Sequence, residues 1–420
     1  MLKRVPQLKL NLNALAGRAL NPRLDNLARA EIHVFHKAWS AFHVCGLVAL
    51  ALALTSALAL AKARGLSVTV MMIIIIAVPF TVCSLAMSIK IVTGEEQYAQ
   101  YHHAVAITAV TTLLLWLLDQ PVLPYLDITI FGIGLALSIG RIGCFMVGCC
   151  YGRPSDWGVC YREEHADAGF APCYVGVRLF PVQLIEALWT LLILALCAFW
   201  FRRAEPAGAF LSWFVVTYCA GRFWIEFLRG GPARPYLFGY SEAQWLSFLL
   251  MCLVVGLEYA GRLPQSAWQA IATGSIGMAM LAIVWKRSLQ SPLARKLFSP
   301  RHVQEVAEAV EFVTERATVV SSRVQWSFVA DQSNEREISI ASTSLGIQLS
   351  ASKIKSTGDE SYHYAFSHCD GGLTGDTARL LAQLISTLRR ARNSAEMQPG
   401  GNGVFHLFIH SHGGSGVGNL

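Results

Sequence analysis

The residues that could do chemistry are charged groups set where charge is expensive. Arg141 lies inside an apolar stretch, within Gly140-Arg141-Ile142-Gly143-Cys144-Phe145-Met146-Val147-Gly148-Cys149-Cys150-Tyr151-Gly152-Arg153-Pro154. A second apolar stretch ends in Tyr218, Arg222 and Glu226, spaced by four so that they stack on one helix face, with Arg229 a turn beyond. A ladder of that length reaches roughly 16 Å, about half the hydrocarbon thickness of a bilayer. A third stretch opens Phe180-Pro181-Val182-Gln183-Leu184-Ile185-Glu186, where Gln183 and Glu186 share a face, and Tyr101-His102-His103 opens a fourth. A charge at bilayer depth costs several kcal/mol and survives only against a protein interior or an aqueous cavity. Arginine is a permanently charged, forked donor matched to phosphate oxygens. The pattern describes a path for a headgroup; an ion pair between Arg222 and Glu226 is the plainer alternative for those two residues alone.

The elements that must hold these groups are membrane spans. Of 420 residues 54% are hydrophobic and 15% charged, against about 25% charged in ordinary soluble proteins. Stretches near the roughly 20 residues a span needs are expected at Trp39–Ala61, Val68–Lys90, His103–Leu118, Ile128–Val147, Leu179–Trp200, Ala207–Leu228 and Ala243–Glu258. An eighth at Trp268–Trp285 is weakened by Gly274 and Gly277. The expected fold is an all-α polytopic membrane domain of seven to eight transmembrane helices over 39–286, after a basic N-terminal tail at 1–38. A small soluble α+β domain follows at 299–420. It has helices at His302–Arg316 and Thr374–Arg392 and a last strand at Val404–His410. The net charge of +7 fits basic loops of a multi-span protein rather than nucleic acid, which is excluded as a partner. No cleavable signal peptide is read, because the first apolar run begins near Trp39.

Taken together the motifs resemble prolipoprotein diacylglyceryl transferase, a multi-span bacterial family. Gly140-Arg141-Ile142-Gly143 … Gly148 … Tyr151-Gly152-Arg153-Pro154 resembles its central arginine motif. Pro181 … Gln183-Leu184 … Glu186 resembles its His-Pro-x-Gln-Leu-Tyr-Glu motif, and Tyr218 … Arg222-Phe223 … Glu226-Phe227 … Arg229 its last motif. Tyr101-His102 is similar to its Phe-His-Gly-Gly motif, and Gln244 stands where the family has a glutamine. The chain departs from the family at Cys144, Cys149, Phe180 and His103-Ala104, where the family has Asn, Glu, His and Gly-Gly; its Gly-Cys-Cys-Tyr-Gly form resembles a divergent branch.

The resemblance implies transfer of a diacylglyceryl group from phosphatidylglycerol to the lipobox cysteine of a prolipoprotein, in the bacterial plasma (inner) membrane, without cofactor. The implied partners are phosphatidylglycerol, the prolipoprotein signal-peptide region and membrane lipids. The catalytic residues it implies are Arg141, Arg222, His102, Glu226 and Tyr218, with His102 as base. The substrate-binding residues are Gly140, Gly143, Gly152, Arg153, Gln183, Glu186 and Arg229. The rival class is a non-catalytic lipid or peptide binder, or a transporter-like protein, with a sensing soluble domain.

Eleven cysteines are present. Cys144, Cys149 and Cys150 are read as small packing residues, and a disulfide among Cys150, Cys160 and Cys173 is the alternative if their loop meets an oxidising compartment. No metal site is expected there, because CxxC pairs and spaced histidines are missing. His406, His410 and His412 alternate on one strand, read as an exposed face rather than a metal site. Lys and Arg crowd the side that carries the N-terminal tail, which by charge alone puts both ends inside, whereas the resemblance implies an outer N-terminus.

Overall fold

The computed structural model describes residues 12–34, 36–94, 100–200, 205–231, 236–290, 292–321, 339–355, 360–371, 373–391 and 395–410. Helix α1 (Leu12–Leu27) and the hairpin β1 (Glu31–Val34) and β2 (Lys37–Ser40) precede four apolar helices: α2 (Ala41–Ala63), α3 (Val68–Thr93), α4 (Gln100–Leu117) and α5 (Val122–Val147). A polar excursion follows, with β3 (Pro154–Cys160), α6 (Glu163–Asp167), a 3₁₀ turn at Pro172–Tyr174 and β4 (Arg178–Leu179). The chain then returns through α7 (Val182–Trp200), α8 (Ala209–Ile225), a 3₁₀ turn at Glu226–Leu228, the hairpin β5 (Tyr236–Leu237) and β6 (Tyr240–Ser241), α9 (Glu242–Tyr259) and α10 (Ala267–Ser288). Among the described residues five helices, α2, α3, α5, α9 and α10, are long and apolar enough to cross a membrane; α4 and α7 are apolar over shorter lengths.

Local chemistry explains the ends of these helices. Ser67 accepts the Val70 N–H to start α3, which stops at Gly94 in the left-handed conformation. Ser241 and Gln244 exchange backbone bonds in a capping box that starts α9. Helix α5 begins at Val122, ahead of the expected Ile128, and so carries Asp127 inside it. That carboxylate is 2% exposed and accepts the backbone N–H groups of Gly208 (2.9 Å) and Leu211 (2.8 Å). It thereby satisfies donors that the N-terminus of α8 would leave orphaned. Helix α8 stops at Ile225 rather than Leu228, because Arg229 N–H bonds back to Glu226 and tightens the last turn to 3₁₀ ahead of Gly230-Gly231.

The tail, the excursion and the C-terminal domain form one cap on one end of the bundle. Asn21 accepts the Gly158 N–H (2.9 Å), Asp25 accepts the Cys160 N–H (2.8 Å), and Arg178 closes a two-bond pair on Asp25 (3.1 and 3.0 Å). Residues 12–27 of the basic tail are thus a docked helix. After α11 (Pro292–Leu297), helix α12 (Pro300–Glu315) leads into β7 (Thr318–Ser321), β8 (Ile340–Ser342), β9 (Ile347–Lys355), β10 (Glu360–His368), α13 (Gly375–Leu388), β11 (Ala395–Pro399) and β12 (Phe405–His410). The sheet order is β11-β12-β10-β9-β7, with β8 also on β9; only β7 pairs in parallel. Val306, Val310 and Val313 of α12 and Leu381 and Ile385 of α13 share one buried cluster with Tyr364 and Phe366 of the sheet and with Tyr151, Tyr161, Tyr174 and Leu179 of the excursion. The alternation Tyr362, Tyr364, Phe366 and the apolar stripe on α13 made these elements readable.

On the sheet, His363 Nε2 meets His406 Nδ1 at 2.9 Å and its ring stacks on Phe408. His412 and the side chain of His410 lie outside the described residues. Burial, with His406 beside it, holds His363 down at about 4. An unfolded histidine titrates near 6.5, so below that pH the unfolded chain takes a proton that folded His363 refuses. The stability of the sheet is therefore expected to fall as pH drops from about 6.5 towards about 4 and to be flat above that window. Hydrogen exchange of β10 and β12, corrected for intrinsic rates, should show the fall in wild type and a flatter profile in His363→Gln; identical profiles would contradict it.

Candidate active site

Three helices, α5, α7 and α8, converge at the cap end of the bundle, and a single carboxylate gathers them. Glu186, fully buried on the second turn of α7, takes Arg141 Nε of α5 (3.0 Å) and Arg229 Nη2 (2.9 Å) on Oε2. Its Oε1 accepts the Tyr218 hydroxyl (2.9 Å) and faces Arg222 Nε of α8 (3.4 Å). Glu226, on the 3₁₀ turn, pairs with Arg222 and with Arg229 Nε (3.6 Å). Arg141, Arg222, Arg229 and Glu226 are each 5% exposed or less. Three guanidinium groups face two carboxylates, which leaves one positive charge in excess in a water-poor site. There, fixed donors act on a developing anion far more strongly than in water.

The backbone around Arg141 is shaped by two glycines. Gly148 ends α5 with φ +80°, a conformation that disfavours any Cβ, and a Cβ there would also strike Phe170. Gly152 sits against the Phe180 carbonyl, which a Cβ would overlap, and bridges to Arg229. Arg153 N–H bonds Leu228 O (3.1 Å) and Gly230 N–H bonds Tyr151 O (3.0 Å), which locks the loop after α5 to the end of α8. The Arg153 side chain is exposed, with Nε donating to Arg229 O (3.4 Å). Gly143 packs against Cys45 and Phe42 of α2, while Gly140 has open space beside it.

The structure brings Arg141, Glu186, Tyr218, Arg222, Glu226 and Arg229 together, and places the other expected site residues around them. Gln183, one turn before Glu186, donates to the Cys149 carbonyl (2.9 Å) and so ties α7 to the arginine loop. Gln244 donates to Phe223 O (3.2 Å) beside Arg222. His102 is not drawn into the Glu186 network: its side chain is 43% exposed and its Nε2 meets Glu242 Oε1 at 2.7 Å. Its neighbour Tyr101 turns inward instead, with its ring 6.2 Å from that of Tyr218 and its hydroxyl on Ser247. Tyr101 is legible in the sequence only as the neighbour of His102 in the Tyr101-His102 motif, and Asp127, just ahead of the expected span start at Ile128, carries no signal that would have picked it out. Tyr161, whose hydroxyl bonds Phe145 O (2.8 Å) at the end of α5, is equally silent.

All eleven cysteines are free thiols. The alternative disulfide among Cys150, Cys160 and Cys173 is replaced by a different grouping: Cys160 lies against Arg390, while the sulfurs of Cys144, Cys149 and Cys150 all lie within 4.8 Å of one another.

A family model for prolipoprotein diacylglyceryl transferase matches residues 37–259, more than half of the chain. The chain belongs to the prolipoprotein diacylglyceryl transferase family. The resemblance read from the arginine motifs is borne out. Among relatives named phosphatidylglycerol–prolipoprotein diacylglyceryl transferase, that of Clostridium tetani is 35% identical over 136 residues, covering 32% of this chain and 52% of the relative. A second enzyme of that name, numbered 2, from Clostridium perfringens is 32% identical over 133 residues, covering 31% and 49%. One from Dehalococcoides mccartyi is 31% identical over 134 residues, also covering 31% and 49%. The chain spans about half the length of the curated relatives it matches. All six members of the buried cluster fall inside the family match, whereas α10 and the sheet domain lie beyond it.

Proposed function

We propose that this family member transfers the diacylglyceryl group of phosphatidylglycerol to the lipobox cysteine of a prolipoprotein, as a multi-pass protein of the bacterial plasma membrane. The observation that carries the reading is the three-guanidinium cluster around Glu186, buried at the cap end of the bundle. In the proposed step the lipobox sulfur attacks the glyceryl methylene carbon that bears the phosphate. The carbon–oxygen bond breaks, its electron pair stays on the phosphate, and glycerol phosphate leaves as the thioether forms. Arg141, Arg222 and Arg229 hold the phosphate and its growing charge. Glu186 and Tyr218 orient the guanidiniums, and Glu226 steadies Arg222. His102, held by Glu242, takes the thiol proton, since the thiolate is the nucleophile. Gly140, with open space beside it, lets the backbone approach the headgroup, while Gly143 and Gly152, expected to do the same, instead let α2 and the Phe180 carbonyl pack closely, and Arg153 and Gln183 border the site. No cofactor takes part.

Eight crossings are the count we favour. Helix α1, the 154–179 excursion and the C-terminal domain contact one another, which supports their lying on one side, with four helices between the first two and four between the last two. We place that side outside. The Lys and Arg count favours the inside for that side, whereas the family resemblance, with acceptors modified at the outer face, favours the outside, and we follow the resemblance. Reporters inserted near Asp167 and fused after Leu420 should both read as external, and one placed at Gly261 as cytoplasmic. A cytoplasmic Asp167 would defeat the transferase reading.

The function is tested in lipid vesicles with a lipobox peptide. Turnover is expected with phosphatidylglycerol and not when phosphatidylcholine replaces it. Binding of phosphatidylglycerol without turnover would put the non-catalytic reading in its place.

A further inference from the structure

The three thiols beside Arg141 are the best-organised group that the transfer chemistry does not use. Cys144 is buried on the last turn of α5 and Cys149 and Cys150 are half-buried on the turn after it; their sulfurs all lie within 4.8 Å of one another. Three features of the backbone fold that turn back over the helix. Gly148 reverses the chain at φ +80°, Cys150 takes φ +55°, which a non-glycine residue rarely adopts, and Gln183 anchors the Cys149 carbonyl at 2.9 Å. A strained residue persists only where its surroundings fix it, so the convergence of the three sulfurs is built in rather than incidental.

We propose that Cys144, Cys149 and Cys150 form a three-thiolate site for a thiophilic d10 cation, Cu(I) or Zn(II). The sulfur spacing fits: ligands about 2.3 Å from a common ion lie about 4 Å apart. An all-sulfur donor set selects soft cations over magnesium or calcium. Among the described residues no fourth cysteine, histidine or carboxylate joins the group, which suits three-coordinate Cu(I) directly and Zn(II) with a water as fourth ligand. Binding releases the three thiol protons, and the charges of Arg141 and Arg229 beside Cys150 offset the negative charge of the thiolate complex. The bound ion would clamp the loop that carries Tyr151, Gly152 and Arg153 onto the end of α5.

The test uses the full chain, purified in detergent under argon with reductant, given Cu(I) or Zn(II) and then desalted. The site should retain about one ion per chain, with three sulfurs at about 2.3 Å by X-ray absorption. Three of the eleven thiols should become shielded from iodoacetamide, identified by mass spectrometry as Cys144, Cys149 and Cys150. This readout needs no variant to fold. The combined C144S, C149S and C150S variant should lose retention about tenfold or more, while C369S, which removes the exposed His368–Cys369–Asp370 group, keeps it. Absent retention in wild type, equal retention in the triple variant, or recovery of two of the three sulfurs as a disulfide would overturn the proposal. None of these readouts depends on diacylglyceryl transfer.

Discussion

Glu186→Gln is expected to destabilise the protein by about 3–5 kcal/mol, the largest loss for any single polar substitution in the bundle. Gln keeps the size of the side chain and one acceptor oxygen but removes the charge shared by Arg141, Arg222 and Arg229. Three guanidiniums buried against the one remaining carboxylate, Glu226, would then repel one another where water cannot screen them. Thermal melting in detergent reads the effect. A second substitution separates charge from packing: Glu186→Gln with Arg229→Gln should recover part of the loss, because it removes one of the uncompensated cations. If the double variant were as unstable as the sum of the singles, Glu186 would be a packing residue rather than the hub of an ion cluster.

Arg141→Ala should act the other way round, with a large kinetic effect and a smaller structural one. Glu186 keeps Arg222, Arg229 and Tyr218 when Arg141 is removed, so the buried carboxylate remains compensated. On the proposed mechanism a fixed donor to the departing phosphate disappears, with an expected loss of about 10²–10³-fold in turnover by analogy with removed oxyanion donors. Arg141→Lys should rescue little, because an ammonium replaces a planar fork with a point charge and cannot reproduce the Nε contact to Glu186. Turnover at saturating phosphatidylglycerol, with melting measured on the same samples, checks both halves. Retained turnover in a folded Arg141→Ala would move the phosphate site away from α5.

Much of this site is legible in the sequence because charge in an apolar stretch is conspicuous. Arg141, Glu186, Arg222, Glu226 and Arg229 each break a hydrophobic run, and their spacing assigns them to helix faces. What spacing within one helix cannot say is who pairs across helices. Glu186 reads as one of several polar residues on span 5, and only the packing of α5, α7 and α8 makes it the common partner. The start of α4 shows the same limit at finer grain. Successive helical residues point about 100° apart, so whether Tyr101 or His102 faces the core depends on the rotation of α4, which the sequence leaves open. The structure turns Tyr101 inward and leaves His102 with Glu242.

The cap was the least readable part. Nothing in the composition of residues 12–27 announces that Asp25 will meet Arg178, and nothing in the α+β domain announces a shared core with Tyr161 and Tyr174. The secondary elements of that domain followed from alternation and a single amphipathic stripe, since those are local properties. Docking is not local. The thiol grouping fails to appear in the sequence for the same reason. Adjacent Cys149 and Cys150 reach back to Cys144 only because the chain reverses at Gly148.

The guanidinium cluster is proposed to carry a diacylglyceryl transfer. Its most direct test is mass spectrometry of a lipobox peptide incubated with the purified chain and phosphatidylglycerol of defined acyl composition. The expected product is a peptide heavier by one diacylglyceryl group on the cysteine sulfur, with glycerol phosphate released in equal amount, and Arg222→Ala should give none. Unmodified peptide with wild-type protein, or equal product from wild type and Arg222→Ala, would contradict it.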